Sequence, residues 1–175
     1  MNTKAFTLLE LVFVIVVIGI LSAVFIPRIQ SNHNAETAIK LINAIRNTQH
    51  KALSDDTFRG SEEEWYKQRW HILFSGTTYS IMSGTTYAKD AVTQEEIKNV
   101  PLNVDDILFS SSCGTSKQII FDYMGRPLLG DIATYTSPYM SSRMLKSPCT
   151  ITLQNSSEND EHIIIHPETG FVERN

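Results

Sequence analysis

Residues 1–28 read MNTKAFTLLELVFVIVVIGILSAVFIPR. Between Phe6 and Ile26 the apolar run is broken only by Thr7, Gly19, Ser22 and one carboxylate, Glu10. As an α-helix this run is about 32 Å long, against roughly 30 Å of bilayer hydrocarbon, so a membrane-spanning helix over 6–26 is expected. A secretory signal peptide has the same charged start and apolar body. Three features point away from it: the run is longer than an ordinary signal core, Ser22 to Val24 is a poor small-residue cleavage site, and Glu10 sits inside the run. A carboxylate near the centre of a membrane helix costs about 2.5 to 3.5 kcal/mol on insertion scales. Such an acid needs a partner.

Lys4-Ala5-Phe6-Thr7-Leu8-Leu9-Glu10, followed by Gly19-Ile20-Leu21 in the apolar run and then by Pro27, resembles the leader and helix start of type IV pilins and type II secretion pseudopilins. The resemblance implies a leader over residues 1–5, cut by a prepilin peptidase between Ala5 and Phe6, N-methylation of Phe6, and a role for Glu10 in filament assembly. Ala5 stands where the family usually has Gly, which predicts slower processing. A cut there leaves the new ammonium four residues from Glu10, on the same helix face. In a staggered filament that ammonium can meet the Glu10 of a neighbouring subunit in low dielectric, which fixes register. An interfacial acid that snorkels to the headgroups is the plainer alternative.

Beyond Pro27 a helical period continues through Ala35, Ala38, Ile39, Ile42, Ile45, Gln49, Ala52 and Leu53, with polar residues on the other side. A kink is expected at Pro27, since proline lacks the backbone donor and crowds the preceding turn. Phe6 to Leu53 as one helix would reach about 72 Å. Breakers at Ser54 to Gly60 end it, and Ser61 with Glu64 forms a capping-box pattern before a short helical segment. Strand-like runs follow at 69–74, 77–82, 104–110, 117–123, 149–154, 162–166 and 171–173, with a helical turn expected at 94–98. Residues 128–148 carry no clear period, and their few apolar residues look insufficient to fix them by burial alone.

The expected fold class is therefore α+β and type IV pilin-like. A long N-terminal helix over 6–53, membrane-spanning in its first half, carries a C-terminal antiparallel β-sheet head, 54–175, packed on its second half. The order of hairpin, Ile119 to Pro127, and closing hairpin ending in Thr169-Gly170-Phe171-Val172 resembles the H-type minor pseudopilins (the GspH/FimT group). That likeness is looser than the one at the leader, and a plain strand and turn gives the same pattern at Phe121 to Pro127. It implies a subunit of the type II secretion pseudopilus, serving protein secretion across the outer membrane. The alternative is a minor pilin of a type IV pilus. Expected partners are other pseudopilins or pilins, the prepilin peptidase and the inner-membrane assembly platform. The expected placement is single-pass in the bacterial inner membrane, N-terminus cytoplasmic and head periplasmic, then in the periplasmic filament.

Cys113 and Cys149 both lie beyond the apolar run, and in an oxidising periplasm a disulfide between them is the natural reading. Two separate buried thiols, or a catalytic Cys113, are the alternatives. His162 and His166 share a strand face, but no third ligand joins them at metal spacing. The acidic stretch 155–161 does not follow the EF-hand order, so a solvated hairpin tip is preferred to a calcium loop. No P-loop, HExxH or GxSxG is present, and neither enzyme activity, cofactor nor metal is expected. Residues 54–175 carry 10 Lys or Arg against 17 Asp or Glu, a net of −7, which disfavours nucleic acid as a partner. A membrane-anchored enzyme and an exported soluble binding protein are the other function classes.

Overall fold

The computed structural model describes residues 7–25, 33–55 and 63–175. The chain divides into two units, 1–32 and 33–175. In the first, α1 covers Leu8–Phe25, and its described side chains, through Ser22, are exposed. At 18 residues it is about 27 Å long, short of roughly 30 Å of hydrocarbon. No helix among the described residues is long and apolar enough to cross a membrane. This overturns the expected transmembrane helix over 6–26, and with it the single-pass inner-membrane placement and its cytoplasmic and periplasmic sides. The single helix over 6–53 is corrected too: the helical residues form α1 and a separate α2, His33–Ser54. Pro27, the expected kink, lies outside the described residues, as do Ser61 and the leader.

The second unit is built on α2. Asn34, Thr37, Ala38, Leu41, Ile42, Ile45, Thr48 and Ala52 are buried at three- and four-residue steps. Ile39 and Leu53, expected on this face, are more than half exposed. Each residue turns the helix by about 100°, so Ile39 leaves a stripe centred on Ala38 and Leu41.

Two antiparallel sheets share that stripe. The first contains β1 (Trp70–Ser75), β2 (Thr78–Ser83), β3 (Thr86–Tyr87), β4 (Val100–Pro101), β6 (Gln118–Phe121) and β7 (Pro127–Leu129), in the order β3-β2-β1-β6-β7 with β4 also on β2. The second runs β10-β9-β8-β5, from Val172–Arg174, Glu161–Ile165, Cys149–Gln154 and Asp106–Phe109. The repeated Ser-Gly-Thr-Thr-Tyr supplies two-residue loops at Gly76-Thr77 and Gly84-Thr85, each with glycine at φ +56 in the first central position, as a type II′ turn requires. α2 packs on β1 and β6 of one sheet and on β8, β9 and β10 of the other.

The second sheet alternates cleanly: Cys149, Ile151 and Leu153 of β8 point into the core while Thr150, Thr152 and Gln154 are half-buried. The first sheet is covered on both faces. Ile119 and Phe121 of β6 join the core beneath α2, whereas Ile120 joins a second cluster with Tyr66, Leu128, Ile132 and Tyr135. Beyond β7, residues 130–148 thus supply the outer cover of this sheet through Ile132 and Tyr135, and the stretch 128–148 has a small core, contrary to the sequence expectation. Tyr135 is 1% exposed, and its hydroxyl donates to the Leu129 carbonyl at 2.9 Å. Arg69, itself buried, donates from Nη2 to the Pro138 carbonyl and lies over the Trp65 ring.

Two smaller expectations also change. Residues 94–98 are not a helical turn. The backbones of Lys89 and Glu96 form an isolated antiparallel β-bridge, and the Asp90 carboxylate accepts from the amides of Val92 and Thr93, which holds a tight loop. The segment after Ser61 is a 3₁₀ turn, Trp65–Gln68, in which Glu64 pairs with Lys67 at 2.6 Å.

Gln49 of α2 joins the two sheets. Its side-chain amide donates to the carbonyls of Gly125 and Thr169, both at 2.8 Å, so the turn after β6 and the turn after β9 are held to one helix position. Gly170 sits at φ +64, and a Cβ there would lie 2.6 Å from the Gly125 oxygen and 2.5 Å from Gln49 Nε2. Gly170→Ala is expected to cost about 2 kcal/mol or more, against about 1 kcal/mol for Gly76→Ala, where a Cβ meets open space. Denaturant unfolding of the two variants measures the difference, and equal losses would show that the Gly125–Gly170 approach is not tight.

Burial pushes the Tyr135 phenol up to about 12, against the opposing pull of Arg143 and Arg69. The unfolded chain therefore releases this proton first. The contribution is complete below about pH 10, the ordinary phenol value, and is lost as pH rises toward about 12. Tyr135→Phe is expected to flatten the fall in stability across that window in unfolding curves taken at stepped pH. A slope identical to that of the parent would remove Tyr135 as its source.

Candidate functional site

The N-terminal candidates centre on Glu10. Thr7 caps α1: its Oγ1 accepts from the Glu10 amide at 3.3 Å, and its carbonyl accepts from the amides of Glu10 and Leu11 at 3.1 and 3.2 Å. Thr7 and Glu10 have the spacing of a capping box, which the sequence reading did not use at this position. Glu10 lies in the first turn, where a carboxylate faces the positive end of the helix dipole. Apolar side chains surround the rest of α1, with Leu8 and Leu9 each 81% exposed and Phe13 68% exposed. Ser22 donates its hydroxyl to the Ile18 carbonyl at 2.8 Å, so this polar group is satisfied within the helix. Ala5 and Phe6 lie outside the described residues.

The structure joins Cys113 and Cys149 in a disulfide with a Cα–Cα distance of 4.8 Å. Cys113 ends a 3₁₀ turn, Ser111–Cys113, and Cys149 opens β8. Beside them Ser110 and Thr150 are bonded twice: the Ser110 amide donates to the Thr150 carbonyl at 2.9 Å, and the Thr150 amide donates to Ser110 Oγ at 3.0 Å. The bridge therefore closes both ends of the segment that covers the first sheet.

His162 and His166 do not converge. His162 Nδ1 pairs with the Thr152 hydroxyl at 3.0 Å, and His166 Nε2 pairs with Glu173 at 2.8 Å. Among the described residues no group of three His, Cys, Asp or Glu could hold a metal ion.

The acidic stretch 155–161, expected to be a solvated hairpin tip, is instead tied to the start of α2. Glu158 accepts from the amides of His33 at 3.1 Å and Asn34 at 2.6 Å, and Asn34 Nδ2 donates to the Asn159 carbonyl at 2.8 Å. These amides belong to the first turn of α2, which has no intrahelical acceptor for them. One carboxylate from 125 residues away therefore acts as the helix cap, with the dipole adding to the attraction. No local signal announces a cap supplied from so far along the chain. The same holds for Gln49, which reads as a tolerated polar residue on an apolar face.

For the unit 33–175, thiol counting on the denatured, unreduced protein is expected to give no free thiol. Reduction is expected to lower stability by up to about 3.8 kcal/mol, the chain-entropy value for a closed loop of this length. Superimposable melting curves before and after verified reduction would show that the Ser110–Thr150 bonds and the small core hold the segment unaided.

No family model, no curated protein and no solved structure matches this chain.

Proposed function

We propose that the chain is a structural subunit of a filament, a minor pseudopilin of a type II secretion pseudopilus that serves protein secretion across the outer membrane. It is processed by a prepilin peptidase between Ala5 and Phe6 and methylated on Phe6. The observation that supports this reading is α1. Its apolar side chains face outward on all sides, and a helix apolar all round is ordinarily buried in its working state. In a filament the same helix from neighbouring subunits supplies that cover. Glu10 in the first turn then meets the methylated ammonium of an arriving Phe6 among packed apolar side chains, where the attraction exceeds its value in water. One acid per subunit, always at the same depth, sets the stagger between subunits.

Mass spectrometry of the protein made in cells with a prepilin peptidase is expected to find a mature chain beginning at N-methylated Phe6. A start after Ala23 would make the apolar stretch an ordinary export signal and end the proposal. In the same cells Glu10→Leu should still be processed while its cross-linking to other filament subunits falls roughly tenfold, the loss of one partly buried charge pair. Unchanged cross-linking would remove Glu10 as the register key.

A further inference from the structure

One groove in the second unit is unused by everything above. It runs between α2 and the loop 88–100, has a volume of about 600 Å³, and is floored by Ala44, Tyr79, Ile81 and Ile97. Binding sites for small ligands and peptide side chains commonly fall between about 300 and 1,000 Å³.

The two walls differ in chemistry. On the loop wall stand Asp90, Glu95 and Glu96. Among the described residues none of the three is in a salt bridge. The amides of Thr93 and Val92 hold the Asp90 carboxyl below the usual carboxylate range through Oδ1, so it is ionised at neutral pH with Oδ2 turned to no partner there. The loop is fixed in advance: the Asp90 amide donates to the Glu95 carbonyl and the Ile97 amide to the Ala88 carbonyl, both at 2.8 Å. A wall held in place before binding loses little entropy when a ligand arrives.

On the helix wall Asn43 and Asn47 line the groove, and neither side-chain amide makes a hydrogen bond among the described residues. They are one helical turn apart, a rise of about 6 Å. Peptide groups on the same side of an extended chain repeat at about 6.6 Å. Two free amides at this spacing match the backbone of a strand laid along α2. Among the described residues the one cation in the lining, Lys40, is on the helix side, so the charged side chains that line the loop wall are all acidic; Lys89 and Lys98 of the same loop do not line the groove, and Lys51 of α2 also favours the ionised Asp90.

We infer that this groove binds an extended peptide segment carrying a lysine or arginine: Asn43 and Asn47 take its backbone, the apolar floor takes the side-chain stem, and Asp90, Glu95 and Glu96 take the cationic head. Basic side chains suit such a site because their long methylene stems pack on apolar surface while the charged end reaches outward. An anionic polymer is repelled by the same wall. The inference does not rest on filament formation, since every residue it uses lies in the unit 33–175.

The test uses the full chain on an array of immobilised decapeptides of alanine, serine and valine, differing only in a central Lys, Arg, Gln or Glu. Lys- and Arg-centred peptides are expected to retain at least about fivefold more protein than Gln-centred ones, in keeping with a charge-assisted contact. Glu95→Gln/Glu96→Gln should bring that ratio near one without changing the melting temperature, as both side chains are exposed. Glu63→Gln/Glu168→Gln, which removes the same charge at exposed positions outside the groove, should leave the ratio intact. Equal retention of Lys and Gln peptides would overturn the inference. So would a ratio lost equally in both double variants, which would mean attraction to net charge, or uniform retention of every peptide.

Discussion

Everything in the unit 33–175 depends on one apolar stripe of α2 being shared by two sheets. A sheet with one face uncovered exposes a row of isoleucines, and the described residues of the unit 33–175 form two such sheets and one α-helix to serve them. Leu41, Ile42 and Ile45 lie in the same buried cluster as Ile72 and Ile119 from the first sheet and Ile151, Leu153, Ile163 and Ile165 from the second. The sharing works because the stripe is wide, taking in Thr37 and Thr48 as well as the aliphatic residues. Thr48 meets the cost of burial by donating its hydroxyl to the Ala44 carbonyl at 2.8 Å. Arg46, on the flank, donates to the Val172 carbonyl at 2.7 Å and so covers part of the edge left by β10.

The back of the first sheet presents the opposite problem. β6 reads Gln-Ile-Ile-Phe, with no alternation, because both of its faces are buried. The 3₁₀ turns between Ile132 and Arg143 provide the second cover, with Ile132 and Tyr135 packed against Ile120 and against Leu128 of β7. The disulfide closes the ends of this segment, and Arg69 reaches across it to Pro138. Cover and buried cation act on the patch around Ile120, whereas the staple itself sits in the core cluster beneath α2.

Strands were the most legible part of the sequence, because period-two runs bounded by Ser-Gly or Pro-x-x-Gly are local signals. The runs at 69–74, 77–82 and 149–154 lie within a residue of β1, β2 and β8. What stayed hidden was what the strands need from afar. Residues 128–148 have no period because, after Leu129 ends the short strand β7, they make turns over the sheet. Glu158 reads as one more acid in a polar loop until the first turn of α2 lies against it. The apolar stretch failed in another way. Composition measured how oily it is, but span depends on the length of helix actually formed, which for α1 is 18 residues. Of the candidate sites, the structure joins the cysteine pair although the periplasmic placement that suggested the bridge does not stand, whereas the groove beside α2 was not legible, since its walls come from residues some fifty positions apart.

Glu158 also decides how the unit 33–175 bears load. Tension applied at His33 would ordinarily peel the first turn of a helix, whose leading amides have nothing behind them. Here those amides are gripped by a carboxylate on the loop joining β8 to β9, and Asn34 is tied to the same loop. A pull therefore passes from the helix start into the hairpin, and from β8 into β5 and β9 on either side of it. The loop works as an anchor bolt: the sheet takes the strain, and the helix can transmit force without unwinding.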